Sequence, residues 1–133
     1  MDKLGIAFIA HDKKKDTMVK FCKTHESILL EHELYATGNT GQKIMNNTNL
    51  YINKVSNGSK GGDTEIGTLV SEKKIDLVIF LRDPFSAQYH EPDIQTLVKL
   101  CDVFSTPIAT NLASAEVFMK SLYNGESKFR LDK

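Results

Sequence analysis

Residues 75–81 read Ile-Asp-Leu-Val-Ile-Phe-Leu, a run in which every side chain except that of Asp76 is apolar. So short and apolar a run predicts the central strand of a parallel sheet, because such a strand is buried by helices on both faces. Further apolar runs predict four more strands, at Leu4–Ala10, Leu34–Thr37, Tyr51–Val55 and Pro107–Thr110.

Helical patterns separate these strands. One apolar stripe predicts a single first helix, because its members recur at spacings of four, three and four; they are Met18, Cys22, His25 and Leu29. Three later helices are predicted from Asp63 to Lys73, from Pro92 through Cys101, and from Ala115 to Tyr123. The alternation predicts an α/β protein: a single-domain, three-layer, Rossmann-like fold around a mainly parallel five-stranded sheet. Asn124-Gly125 predicts a helix stop, and the polar tail from about residue 124 is expected to be loosely specified.

Composition limits the classes of partner. The chain has 133 residues, 41% of them hydrophobic, which suffices for one buried core without disulfides. Lys plus Arg and Asp plus Glu both number 17, so no overall field attracts nucleic acid or an anionic membrane. The start of the chain carries no long apolar stretch, which predicts a cytoplasmic protein. Cys22 and Cys101 fall at apolar helix positions, as reduced core cysteines do.

Polar residues follow four of the five predicted strands. They are His11-Asp12, Thr37 to Gly41, Asn57-Gly58 leading to Asp63, and Asp83-Pro84. Ligands of open parallel sheets bind outside the carboxyl ends of the strands. The sequence therefore predicts a small-molecule site at this edge.

The segment Thr37-Gly38-Asn39-Thr40-Gly41 combines glycines, hydroxyls and an amide ahead of a predicted short helix. Backbone amides at a helix N-terminus bind anions, and glycines allow them a close approach. The same residues are also ordinary turn and capping chemistry. Lys15 could add a positive charge, although the run Lys13-Lys14-Lys15 is by default a solvated surface.

Asp63 follows two glycines, Gly61 and Gly62, which allow the backbone to approach a ligand closely. A base placed there could act on a bound substrate. The competing interpretation for Asp12, Asp63 and Asp83 is a helix cap, and for Asp83 also a turn or salt bridge. Asp93 would equally suit the first turn of its helix.

No metal site is predicted, because the sequence has neither His-Glu-x-x-His nor paired Cys-x-x-Cys spacing and its carboxylates come from separate loops. His25 and His32 fall in helix and strand surroundings, and no functional role is assigned to either.

Short fragments spread over nearly the whole chain occur in the order of one known family. They are Ala10-His11-Asp12 with Lys15, Tyr35 to Gly41, Gly58 with Gly61-Gly62-Asp63, Ile75 to Phe80, Asp83-Pro84, His90-Glu91-Pro92-Asp93, and Pro107 to Asn111. Together they resemble methylglyoxal synthase of the short bacterial type. The resemblance implies a cytoplasmic, homohexameric lyase without metal or organic cofactor. It would convert dihydroxyacetone phosphate into methylglyoxal and inorganic phosphate, and the phosphate would also inhibit.

The resemblance also assigns roles. Asp63 matches the catalytic base, and His90 matches the histidine that polarises the substrate carbonyl and moves a proton. Asp12, Asp83 and Asp93 match supporting acidic residues that orient the histidines and tune the base. Substrate binding, chiefly of the phosphate, falls to His11, Lys15, Thr37, Gly38, Asn39, Thr40, Asn57, Gly58 and His90.

The chain departs from the family pattern at several positions. Asn39 stands where threonine is usual and Asn57 where serine is usual; both amides can still donate hydrogen bonds. Ser59-Lys60 and Thr64-Glu65 add one charge of each sign beside the base. Arg130 is the counterpart of a basic residue on the family's C-terminal arm. The alternative function is a non-catalytic regulatory module of the same fold that binds a phosphorylated or anionic effector.

Overall fold

Five parallel strands form one sheet in the computed structural model, which describes residues 3–56, 62–85 and 94–125. The strands are β1 (Gly5–Ala10), β2 (Glu33–Thr37), β3 (Asn53–Val55), β4 (Leu77–Leu81) and β5 (Ile108–Ala109). Their order is β3-β2-β1-β4-β5, and each neighbouring pair is parallel. The predicted α/β fold is confirmed, with a sheet that is parallel throughout.

Six α-helices occur in the described residues: α1 (Lys15–Thr24), α2 (Glu26–Leu29), α3 (Gly38–Asn47), α4 (Gly62–Ser71), α5 (Ile94–Val103) and α6 (Leu112–Tyr123). A short 3-10 turn, Asp12–Lys14, precedes α1. The helix predicted to begin at Pro92 is present as α5, although Pro92 itself lies outside the described residues. The C-terminal stop is confirmed, because α6 ends at Tyr123 and Gly125 takes a φ of 76°.

The prediction of one continuous first helix is wrong, because the helix breaks at His25. There φ is −105° and ψ is 19°, and the chain restarts as α2. The His25 ring is bound from α6, with Nε2 2.8 Å from Glu116 Oε1 and Nδ1 3.0 Å from the Tyr123 hydroxyl. The stripe residues are nevertheless all buried, so the pattern identified the buried face but not the break. Likewise Lys73, predicted to end the stripe of α4, lies beyond that helix with a φ of 62°.

Two apolar clusters cover the two faces of the sheet. One contains Phe8 of β1 with buried residues of α1, α2, α3 and α6, and the other contains Ile9 and Phe80 with residues of α4 and α5. Alternate residues of β1 therefore point into opposite layers, as the strand period of two requires. Cys22 and Cys101 are free and buried, which confirms their prediction as core thiols, and burial raises the pKa of Cys101 to about 11.

The strand order places a switch point between β1 and β4. The chain passes from β1 to β2 and β3 on one side, and then crosses to β4 and β5 on the other. A crevice opens outside the carboxyl ends of the strands at such a point, and ligands of open α/β sheets bind there.

His32 is expected to make folding sensitive to acid. The Nδ1 atom of His32 accepts the N–H of Leu4 at 3.0 Å, and the side chain is buried. Desolvation lowers the pKa of His32 from its ordinary value of 6.5. A folded-state pKa below the unfolded one means that the unfolded chain binds more protons. We expect the free energy of unfolding to fall as the pH drops below about 6.5, by up to ~1.4 kcal/mol per pH unit from this group.

The His32→Asn variant tests this expectation, because its amide oxygen can accept the same N–H without titrating. Urea unfolding at pH 7.5 and 5.5, at one fixed protein concentration, should show a smaller loss of stability in the variant than in the wild type. The same loss in both proteins would remove His32 as the acid-sensitive group.

Candidate active site

His11 and Asp83 meet at the switch point. His11 directly follows β1 and Asp83 lies two residues after β4, and these two strands are neighbours. The main-chain N–H of His11 binds the carbonyl oxygen of Leu81 at 3.1 Å, and the N–H of Asp83 donates to His11 Nδ1 at 2.9 Å. Because Nδ1 accepts this bond, the neutral ring carries its hydrogen on Nε2. The Asp83 amide therefore fixes the tautomer of His11.

The His11 ring is also fixed by packing. It stands edge-on to Phe80, with ring centroids 5.3 Å apart and an interplanar angle of 87°. His11 is only 7% exposed, and Phe80 belongs to the apolar cluster that α4 and α5 cover. The imidazole is thus held on the same face of the sheet as α4, the helix that carries Asp63.

Asp12 and Lys15 form an ion pair. Lys15 Nζ lies 2.6 Å from Asp12 Oδ1, and the lysine side chain is only 19% exposed. Lys15 is therefore distinct from the exposed Lys13 in the same basic run, because its ammonium group is held beside the end of β1. The prediction that Lys15 binds phosphate stays a prediction.

The prediction that Thr37 to Gly41 precede a short helix is wrong for residues 38–41, because α3 already begins at Gly38, directly after the end of β2. Thr37 is the N-cap of α3, with extended φ and ψ of −65° and 151°, and Gly38 is already helical. The Thr37 side chain makes no capping hydrogen bond within the described residues. The amides of the first turn of α3, which includes Gly38, Asn39 and Thr40, therefore present their donors and the positive end of the dipole at the edge of the sheet.

Thr40 is the most unusual residue of this turn. Its side chain is 1% exposed, and its Oγ1 atom is buried without a hydrogen-bond partner in the described part of the chain. Leaving a buried hydroxyl unsatisfied costs free energy, so such a group needs an explanation. A bound anion at the N-terminus of α3 would supply one.

Asp63 is described by its main chain only. It is the second residue of α4, so the turn that follows the double glycine is helical, as predicted. Asn57, Gly58, Gly61, His90, Asp93 and Arg130 lie outside the described residues. The structure thus brings together His11 with Asp83, Asp12 with Lys15, and Thr37 with Gly38, Asn39 and Thr40.

One contact of the site was not predicted from the sequence. The role predicted for Asp83 was that of a carboxylate, whereas its main-chain amide contacts His11 and its Oδ1 accepts the N–H of Phe85 at 3.0 Å. No residue-type signal could have revealed the amide contact, because every residue except proline carries that N–H. The only available clue was position, since both residues follow strands that prove to be neighbours.

The fold and the site together define an α/β protein with a crevice at the switch point of a parallel sheet, the place where proteins of this class bind small ligands. Residues 17–110 match the family described as "MGS-like domain". The methylglyoxal synthase of Clostridioides difficile (strain 630) is 57% identical over 96% of this chain and 93% of its own length. The methylglyoxal synthase of Acholeplasma laidlawii (strain PG-8A) is 55% identical over 90% of this chain and 98% of its own length.

A solved structure agrees with these relatives. The crystal structure of methylglyoxal synthase from Elizabethkingia anophelis NUHP1 superposes with a TM-score of 0.87 at 38% identity, covering 90% of this chain and 78% of that one. The chain therefore belongs to the methylglyoxal synthase family. Both the resemblance and the enzyme class predicted from the sequence are confirmed.

Proposed function

We propose that this chain converts dihydroxyacetone phosphate into methylglyoxal and inorganic phosphate. Family membership and the amide donors that the N-terminus of α3 presents at the edge of the sheet support this reaction. A base removes a proton from the hydroxymethyl carbon beside the carbonyl, which yields an enediolate. Cleavage of the bridging carbon–oxygen bond then expels phosphate, and the enol that remains becomes methylglyoxal.

The observation that carries the proposal is the hydroxyl of Thr40 in the first turn of α3, which is buried and has no hydrogen-bond partner among residues 3–56, 62–85 and 94–125. In the proposed complex, this hydroxyl and the amides from Gly38 onward donate to the phosphate oxygens, and Thr37 and Asn39 complete the cradle. Lys15, held by Asp12 at 2.6 Å, supplies a positive charge. Asn57 and Gly58 are also proposed to contact the substrate.

Three residues are proposed to act at the reacting carbon and oxygen atoms of the substrate. Asp63 is the base, and His90 polarises the carbonyl oxygen and returns a proton. His11 binds a substrate oxygen through its Nε2–H, in the tautomer that the Asp83 amide fixes. Asp83 therefore acts on His11 through its main chain, and Asp93 is proposed to orient His90.

The reaction is tested by incubating the purified, metal-stripped protein with dihydroxyacetone phosphate and following methylglyoxal and free phosphate together. We expect equal amounts of both products. If neither product forms although inorganic phosphate still binds, the site is a sensor and the regulatory-module alternative replaces the enzyme.

Thr40→Val is expected to weaken phosphate binding about tenfold without loss of stability. Valine matches the shape of threonine but cannot donate to an anion, and a hydrogen bond to a charged group is worth roughly 1.5–3 kcal/mol. Because the hydroxyl has no partner in the described residues, its removal should leave the free energy of unfolding unchanged or slightly higher. Calorimetric titration with inorganic phosphate and urea unfolding measure the two quantities.

Thr40→Ser is the matched control, since it keeps the hydroxyl. Wild-type phosphate affinity in Thr40→Val would remove Thr40 from the anion site, and a clear loss of stability would assign the hydroxyl a structural role instead.

We further propose that the protein works in the cytoplasm as a homo-oligomer, a hexamer by family likeness, and that the phosphate it releases inhibits it. None of the helices in residues 3–56, 62–85 and 94–125 has the length and apolar character needed to cross a bilayer. The balanced charge gives no reason to expect a nucleic acid or an anionic membrane as partner.

A further inference from the structure

Glu65 joins the beginning of α4 to the end of β3. Its Oε2 atom accepts the main-chain N–H of Ser56 at 2.8 Å. Glu65 is the fourth residue of α4 and follows Asp63 by two positions, whereas Ser56 directly follows β3. The hydrogen bond therefore ties together the two chain segments that flank residues 57–61.

The end of β3 is paired with the end of β2, which leads directly into α3. Val55, the residue before Ser56, pairs in register with Thr37, which is the N-cap of α3. Val55 also packs against the apolar cluster that contains Ile66 of α4. A continuous set of contacts thus runs from the first turn of α4 through Glu65, Ser56 and Val55 to the N-terminus of α3.

This hydrogen bond lies outside the main-chain ladder of the sheet and outside the main-chain bonds of α4, and it joins two exposed residues. Any acidic side chain near a helix N-terminus gains from the dipole without contacting a distant residue. The Glu65 carboxylate instead binds an amide nine positions earlier in the chain, so it restrains how α4 lies against β3. From residue type and position alone, Glu65 is predicted only to add a negative charge beside the base.

We propose that Glu65 is a positioning residue, which holds the first turn of α4 so that Asp63 is placed correctly over a substrate bound at α3. This role rests on the proposed function. A base must lie within hydrogen-bond reach of the proton it removes, and a displacement of about 1 Å can cost roughly a hundredfold in rate. The Glu65 side chain itself binds the main chain of Ser56. The proposed role includes no contact between Glu65 and the substrate.

Three variants test the role: Glu65→Ala removes the acceptor, Glu65→Gln keeps an acceptor but removes the charge, and Glu72→Ala is the matched control. Glu72 lies just beyond the other end of α4. Within the part of the chain that the structure describes, its one ion pair is with Lys74, whose Nζ lies 3.8 Å from Glu72 Oε1. For Glu65→Ala we expect kcat to fall about tenfold, because the first turn of α4 is then no longer held against the end of β3.

The KM for dihydroxyacetone phosphate should change less than kcat in Glu65→Ala, because the phosphate contacts proposed for the N-terminus of α3 are unchanged and only the contacts proposed for Asn57 and Gly58, next to Ser56, are held less firmly. Glu65→Gln should recover most of kcat, and Glu72→Ala should equal the wild type. Amide exchange followed by NMR should be faster at Ser56 in Glu65→Ala than in the wild type or in Glu72→Ala. A purely structural role would lower thermal stability without this separation of kcat from KM.

Wild-type kcat in a folded Glu65→Ala variant would overturn the positioning role and leave the proposed function intact. A kcat in Glu65→Gln as low as in Glu65→Ala would also overturn it, because the charge rather than the hydrogen bond would then act on the base. A wild-type protein that forms no methylglyoxal would overturn the proposed function, and the role of Glu65 in catalysis with it.

Discussion

Asp63→Asn is expected to lower kcat for methylglyoxal formation by roughly a hundred- to ten-thousandfold, the range that a general base contributes. Asparagine has nearly the same shape as aspartate but cannot accept the proton from the hydroxymethyl carbon. The substitution lies in the first turn of α4, where both residues are acceptable, so folding should be preserved. The proposed phosphate contacts come from α3, and phosphate binding should therefore persist.

The measurement follows methylglyoxal and phosphate release by both proteins, with calorimetric titration of inorganic phosphate alongside. Asp102→Asn is the matched control, because it makes the same chemical change at an exposed position of α5. Turnover near the wild-type rate in Asp63→Asn would assign the base to another residue. Loss of phosphate binding together with turnover would place Asp63 in substrate binding instead.

Gly5→Ala is expected to cause the largest loss of stability from the addition of a single methyl group. A Cβ atom at Gly5 would lie 1.8 Å from the carbonyl oxygen of Lys74. Two hydrogen bonds hold the main chain at Gly5 against the segment that contains Lys74 and Asp76. The Gly5 N–H donates to Asp76 Oδ2 at 2.9 Å, and the Asp76 N–H donates to the Gly5 carbonyl at 2.7 Å. Neither main chain can move away without losing them.

Overpacking in a well-packed core typically costs 1–3 kcal/mol, and a clash between two main chains belongs at or above the top of that range. We expect a loss of about 3 kcal/mol or more, against the 5–15 kcal/mol of total stability common for proteins. Urea unfolding at fixed protein concentration measures it.

Gly67→Ala is the control for this prediction. A Cβ atom there would meet Leu100 Cδ1 at 2.5 Å, which is the far end of a flexible, half-buried side chain. Alanine also favours the helix by about 0.5–1 kcal/mol, so the net change should be small. Equal destabilisation by both substitutions would mean that added volume, rather than contact between main chains, determines the cost.

The first predicted helix shows what hydrophobic patterning can and cannot predict. The stripe from Met18 to Leu29 identified the buried face correctly, because burial follows from side-chain chemistry and spacing. The break lies at His25, whose ring contacts Tyr123 and Glu116, 98 and 91 residues away in sequence. A local pattern carries no information about such a contact.

The sequence by itself determined the strands, the α/β class, the buried thiols and the family, because each depends on residue type and local order. It also placed the candidate residues after the correct strands. Tertiary structure alone decided that β1 and β4 are neighbours, so that the Asp83 amide reaches His11. It likewise decided that Thr40 lies buried without a partner in the described residues and that Glu65 binds Ser56. The physical reason is that hydrogen bonds to main-chain groups depend on the distance between segments, which is fixed only when the sheet and both of its apolar layers have packed.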